Sequence, residues 1–299
     1  MDDFPIVDPH HHLWDLEHFS YPWLSTRPLP ASVAGDVGPI AKSYLLDGYL
    51  ADAANQNVVK SVHIDAGFDP SYPVEETRWL QATADKQGFP HGIVARAELH
   101  RPDVEATLAA HCAFPNMRGI RHIVNWHPDP AKTYVSKPDF LTDTAWLRGF
   151  VLLKRYGLSF DLQLYPSQMI DAARLAAHHP DTTIILNHAG MPVDRDPDAL
   201  SLWREGMRSL AAQPNVQVKI SGLGMVDWNW TEESIRPFVL DTIEIFGVER
   251  CMFASNFPVD KLYSSFGTLY RAFRSIVSDF SFGERRKLFS DNALATYRI

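Results

Sequence analysis

The sequence predicts an α/β fold, a (β/α)8 TIM barrel formed as one domain by residues 1–299. Three observations carry that expectation. Short β-branched or apolar runs alternate with amphipathic runs along the whole chain, which implies parallel strands joined by crossover helices. Counted from Ile6, the short runs number eight, as a closed barrel requires. The competing doubly wound sheet would place a glycine-rich phosphate turn after a strand, and no G-x-G-x-x-G or G-x-x-x-x-G-K-[ST] segment occurs.

The first strand lies in the stretch Ile6 to Trp14, Ile-Val-Asp-Pro-His-His-His-Leu-Trp. Alternate side chains of an extended strand share a face, so His10 and His12 point one way and His11 the other. A strand that starts apolar and ends in imidazoles suits a barrel strand reaching its catalytic mouth. A purification tag would be longer and purer, and would not run on into Leu13 and Trp14. From Asp15 to about Tyr44 the chain is Pro-rich, holds Phe19, Tyr21 and Trp23, and lacks a period. That reads as a loop covering the substrate, or as one that only packs across the barrel end.

A short helix is expected near Gly48 to Asn57, then a strand at Val59 to Ile64 ending at Asp65. Helices follow near Val74 to Gln87, Asp103 to Cys112, Leu141 to Tyr156, Gln168 to His178, Leu200 to Ala212 and Ile235 to Phe246. Between them the apolar runs place strands at Gly92 to Ala97, Gly119 to Val124, Leu158 to Leu164, Thr183 to Leu186, Val216 to Ile220 and Arg250 to Phe253. Two terminal helices, near Ser265 to Ser278 and Gly283 to Tyr297, complete the outer layer.

Bulk properties narrow the function. With 45% apolar and 21% charged residues, eight Trp and seventeen Phe, the chain can build a large core. A net charge of −8 without a basic block argues against nucleic acid as partner. The N-terminus, Met-Asp-Asp-Phe-Pro, lacks the pattern of a signal peptide, and no apolar run approaches the ~20 residues that cross a bilayer. A soluble, cytoplasmic enzyme acting on a small molecule, with no membrane partner, is the expectation. Cys112 and Cys251 are read as reduced, buried thiols. The composition admits a homo-oligomer without locating an interface.

Chemistry in such a barrel collects at the C-terminal ends of the strands. Those ends hold His10 and His12, then Asp65, Arg96, the Arg118 to His122 segment, Gln163 with Tyr165, Asn187 with His188, Lys219 with Ser221, and Ser255 with Asn256. His10, His12 and His188 offer neutral nitrogens suited to a divalent zinc or manganese ion. Without an ion the same imidazoles can donate to a developing oxyanion. The sequence leaves both open. No nucleotide cofactor is expected.

The run Asp-Pro-His-His-His-Leu-Trp-Asp, with Tyr-Pro-Trp-Leu (Tyr21 to Leu24), Met-Arg-Gly-Ile-Arg (Met117 to Arg121), Asn-His-Ala-Gly (Asn187 to Gly190), Phe-Ala-Ser-Asn-Phe-Pro (Phe253 to Pro258) and Asp-Asn-Ala (Asp291 to Ala293), resembles the amidohydrolase superfamily. Within it, the match is to the branch of TIM-barrel, metal-dependent hydrolases containing L-fuconolactonase-like and 2-pyrone-4,6-dicarboxylate lactonase-like enzymes. The resemblance spans the chain. It implies that His10 and His12 end the first strand, that His188 ends the sixth, and that Arg118 or Arg121 near the fourth binds a substrate carboxylate or carbonyl. The branch's eighth-strand aspartate, which activates water, is here Asn256. An amide can orient water but cannot take its proton. Three explanations are open: Asp260 supplies the missing carboxylate, a metal-bound hydroxide needs little help from a base, or hydrolysis is weakened or lost.

The expected reaction is opening of a sugar lactone or a carboxylated pyrone-type lactone by water. Its catalytic residues are His10, His12, His188, Asn256 and Asp260. Substrate would be bound by Arg118, Arg121, Gln163, Tyr165 and Lys219, with Trp14, Trp23 and Trp126 against the ring faces. Arg121 would hold an anion through two parallel N–H groups. A decarboxylase of an aromatic or enol acid, and a ligand-binding barrel without turnover, are the alternatives.

Overall fold

A computed structural model describes residues 4–299. The chain runs β1 (Ile6–His11), α1 (Pro22–Ser25), α2 (Leu46–Asp52), β2 (Val58–Ile64), α3 (Glu75–Gln87), β3 (Gly92–Arg96), α4 (Val104–His111), β4 (Met117–Arg121), α5 (Thr144–Arg155) and β5 (Ser159–Leu162). It continues with α6 (Met169–His178), β6 (Ile184–Leu186), α7 (Pro197–Ala211), β7 (Val216–Ile220), α8 (Glu232–Phe246), β8 (Cys251–Phe253), α9 (Phe266–Ile276), α10 (Phe282–Arg286) and α11 (Asn292–Tyr297). Each strand pairs in parallel with the next, in the order β1 to β8, giving the (β/α)8 barrel. Helix starts follow local chemistry. Asp143 caps α5 through the Trp146 N–H, and Asp196 caps α7, whose first residue is Pro197.

The ring closes between β1 and the residues just past β8. His12 N donates to Phe257 O (2.7 Å) and Asn256 N to His10 O (2.8 Å). Pro9 has no N–H to give a ladder, and the β1–β2 register shifts between Asp8 and His11. The Asp8 carboxylate fastens the seam, accepting from Ser255 N (2.9 Å) and Ser255 Oγ (2.6 Å).

The lumen is apolar at its base and polar at its mouth. Val7, Val62, Ile64, Val94, Ile185 and Met252 pack inside on Ala293 and Tyr297 of α11. A larger cluster lies between strands and helices, anchored by residues such as Trp146, Phe160 and Trp203, all fully buried. Burying a side chain of this kind is worth about 1.5–3 kcal/mol.

Three expectations need correction. The fourth strand is Met117–Arg121 rather than Gly119 to Val124, so Arg121 ends it. The expected last helix is broken by a π segment, Lys287–Asp291, after which Asn292 Nδ2 donates to Val248 O and Cys251 O, both at 2.7 Å. Cys251 is buried, whereas Cys112 is exposed. Among the described residues no helix is long and apolar enough to cross a membrane.

Candidate active site

β1 delivers two imidazoles to the mouth and one to the outside. The His10 and His12 rings lie 5.0 Å apart, and His10 is 4.5 Å from His188. His11 instead stacks at 4.1 Å on Tyr49 of α2 and meets Ser61 Oγ at 2.9 Å. Burial holds His10, His12 and His188 well below the ordinary imidazole range. The positive charges of Lys219 and Arg121 add to that at His10 and His188, and Arg121 at His12. All three rings are therefore neutral near pH 7.

His12 Nδ1 donates to Ile64 O (2.7 Å), because a carbonyl only accepts. His188 Nδ1 meets Ser221 Oγ at 3.0 Å. His188, Ala189, Gly190 and Met191 all have positive φ (56°, 48°, 73° and 49°), a strained left-handed turn that swings the imidazole inward from the end of β6. Asn256, past β8, has φ 55°. Such strain in non-glycine residues collects at functional sites.

Arg121 is buried at the end of β4. Its Nε donates to Asp65 Oδ2 (3.4 Å), Nη1 to Gln163 Oε1 (3.1 Å), and Nη2 to the Asp65 carbonyl. These contacts use one N–H on each Nη. Glu76 of α3 lies close by. Burial, then Asp65, pushes its carboxyl well above the carboxylate range.

Asp260 sits four residues beyond Asn256, and its N–H donates to Asn256 O at 3.1 Å. Its side chain is buried, which raises the carboxyl to about 7. The Asn256 side chain and the backbone at Gly222 and Met225 offset this in part. These groups face the carboxylate, but none reaches good hydrogen-bond geometry with either oxygen. A buried carboxylate so poorly satisfied is poised to take a proton.

The other expected residues divide. Gln163 is buried and holds Arg121. Tyr165 is buried, its hydroxyl donating to Lys132 O at 2.6 Å. Trp23, half-buried, donates to Ala66 O (2.7 Å), and Trp126 is also half-buried. Lys219 is fully buried in an ion pair with Asp161, which takes it away from direct substrate binding. Trp14 is fully buried, stacks behind His12 and donates to Lys42 O (2.8 Å), so it backs the site rather than facing a ring. Arg118 is at the opposite end of β4. Its guanidinium donates to Pro115 O and Met117 O, next to the C-terminal Arg298, too far down the strand to reach the mouth.

The Asp15 to Tyr44 loop lies across the mouth. Trp14 and Tyr44 bridge at its base, and Trp228, past β7, donates to Val33 O (3.1 Å). Tyr263, past β8, donates to Ala34 O.

Sequence reasoning missed Asp8, Glu76, Asp161 and Tyr297. Each is a lone polar residue inside an element, and its partners are distant in sequence.

The three histidines suit a divalent ion by donor type, but not by position. Their nitrogens do not gather within 4.8 Å of one another, as those of Asp15, Glu17 and His18 do on the exposed surface. Lys219 and Arg121 already supply positive charge beside them. The sequence leaves both an ion and an oxyanion role open for His10, His12 and His188, and a solved amidohydrolase neighbour holds zinc.

The family profile described as Amidohydrolase matches residues 7–299. The y4mH protein of Sinorhizobium fredii is 54% identical over 299 residues, covering 100% of both chains. An L-fucono-1,5-lactonase of Burkholderia multivorans is 28% identical, over 98% of this chain and 96% of its own. An amidohydrolase of Burkholderia multivorans solved with bound HEPES superposes with TM-score 0.82 at 25% identity, covering 99% of both chains. The crystal form of that amidohydrolase with bound zinc gives TM-score 0.82 at 24% identity, again over 99% of both.

Proposed function

The chain belongs to the amidohydrolase family, and from that premise we propose that it is a hydrolase opening a small lactone, a sugar lactone or a carboxylated pyrone-type lactone. One observation carries the reading. His10 Nε2 and the Asp260 carboxylate are buried without a partner, Arg121 is fixed by Asp65 and Gln163, and the three residues stand at or just past the C-terminal ends of β1, β8 and β4 respectively. A donor, an anion binder and a base are what water addition to a carbonyl requires. The lactonase name of the Burkholderia relative supports the same class.

In this reading the lactone carbonyl oxygen sits against the His10 imidazole and gains negative charge as water adds. Asp260 takes the proton of the attacking water, with the Asn256 amide orienting that water. Collapse of the tetrahedral intermediate breaks the ring C–O bond, and the proton held by Asp260 returns to the leaving alkoxide. Arg121 holds a carboxylate or ring substituent, while the loop carrying Trp23 keeps bulk water out. A divalent ion bound in the mouth would polarise the carbonyl as a Lewis acid.

The test is proton release by the purified protein from five- and six-membered sugar lactones and pyrone carboxylates, before and after chelation. Ring-opened acid with no gas, at a rate that survives chelation, is expected. Carbon dioxide as product would instead support decarboxylation. Ligand recovered unchanged would sink the hydrolase reading.

A further inference from the structure

We infer that Lys219 is a positioning residue that fixes the tautomer of His10, so that the ring presents an Nε2–H and not a lone pair to the substrate oxygen. The significance of this for catalysis rests on the lactonase reading, but the tautomer itself is a property of the resting protein.

Lys219 Nζ lies 3.4 Å from His10 Nδ1. An ammonium only donates, so Nδ1 must keep its lone pair, and a neutral imidazole then carries its proton on Nε2. Lys219 is an ammonium because it is paired with the Asp161 carboxylate, and both side chains are fully buried. His10 Nε2 is buried and has no partner in the protein. An orphaned buried donor is costly, and a protein tolerates one where a ligand completes the bond.

Lys219 is itself locked from below. Its ammonium pairs with Asp161 of β5, both fully buried. Asp161 Oδ1 also accepts from Asn187 Nδ2 (3.0 Å), and its carboxylate accepts from the Tyr297 hydroxyl, 3.0 Å from either oxygen. The Tyr297 ring lies under the ammonium, 5.1 Å from Nζ. A polar column thus rises from the C-terminal helix, through Tyr297, Asp161 and Lys219, to His10. It gives Asp161 and Tyr297 a reason to sit beside the apolar base of the lumen.

His12, on the same strand, has the opposite polarity. Its Nδ1 is the donor, to Ile64 O, which leaves a lone pair on Nε2. One strand therefore offers the substrate a donor at His10 and an acceptor at His12. An ion would need the His10 lone pair on Nε2, which the Lys219 contact denies.

Long-range proton–nitrogen correlation spectra of full-length protein labelled with nitrogen-15 histidine test this, the His10 signals being assigned by their loss in His10→Gln. The expected result is a protonated Nε2 and a bare Nδ1 at His10, with the reverse at His12. The paired variant Lys219→Met with Asp161→Asn leaves no buried charge unbalanced. It should release His10 to a mixture of tautomers, leave His12 unchanged, and lower kcat about a hundredfold with little change in KM. Lys219→Arg should restore the Nε2–H form and part of kcat. A wild-type His10 protonated on Nδ1, or a tautomer unmoved in the paired variant, would overturn the inference. Should the paired variant not fold, the wild-type and Lys219→Arg spectra still decide. The expected tautomer in a protein that opens no lactone would sustain the inference and sink only the lactonase reading.

Discussion

The imidazole of His188 rests on the backbone of Gly222: a Cβ at Gly222 would lie 2.7 Å from His188 Nδ1, and Gly222 has φ 62°. The same residue's backbone faces the Asp260 carboxylate. Glycine is therefore required twice, by conformation and by contact. Gly222→Ala should cost about 1–2 kcal/mol of stability from the left-handed backbone. It should also push His188 off Ser221 and lower kcat more than tenfold, a loss far larger than the change in urea midpoint alone explains. Steady-state kinetics beside urea unfolding check this, and a variant with unchanged kcat would mean that His188 lies outside the chemistry.

Much of this arrangement is legible in the sequence, because barrel strands are short local runs and their ends are ordered by topology. The alternation of apolar and amphipathic segments gives the strand count, and the period of an extended chain separates His10 and His12 from His11. The end of β4 is not legible to the residue, and three positions decide whether Arg118 or Arg121 reaches the mouth. Nor does the sequence reveal that Asp8 meets Ser255 or that Tyr297 meets Asp161. A lone acid in a strand has no local signature when its partner arrives from the far end of the chain. Trp14 misleads for a related reason: an aromatic beside a site serves equally as a wall for substrate or as backing for an imidazole.

The Asp8 to Ser255 contact closes the barrel where β8 is only three residues long. Hydrogen bonds to a carboxylate are worth about 1.5–3 kcal/mol each, and losing the acceptor strands a buried N–H and hydroxyl. Asp8→Ala should therefore lower stability by about 3 kcal/mol or more, and amide exchange should quicken first in β1 and β8. Uniform loss of protection across all eight strands would argue against a local seam.

Arg121 has its guanidinium fixed by Asp65 and Gln163 before any substrate arrives. A lysine cannot reproduce the planar fork, nor satisfy both partners and an anion together. Arg121→Lys should reduce kcat/KM about tenfold to a hundredfold for a lactone bearing a carboxylate, and clearly less for an uncharged sugar lactone. Equal losses for both would show that Arg121 orders the site rather than reading the anion.

Asp260 makes the sharpest pH prediction. Burial holds its carboxyl at about 7, against an ordinary value of 3.8, so the folded protein keeps a proton there that the unfolded chain has already lost. Between those two values stability should fall as pH rises, since the raised group favours the folded state only while protonated. Activity should run the opposite way. A base works as the carboxylate, so kcat/KM should climb with pH, about tenfold per unit below 7, and level off above it. Asp260→Asn should remove that limb together with its share of the stability slope, and lower kcat about 10²–10⁴-fold. Asn256 stands where the superfamily resemblance implies an aspartate, so Asn256→Asp added to Asp260→Asn should return part of the rate by moving the base four residues back. Rate profiles and urea midpoints across the same pH range check both trends on one set of proteins. Full activity with an unshifted profile in Asp260→Asn would remove Asp260 from the proton transfer and leave a histidine to accept the proton of water.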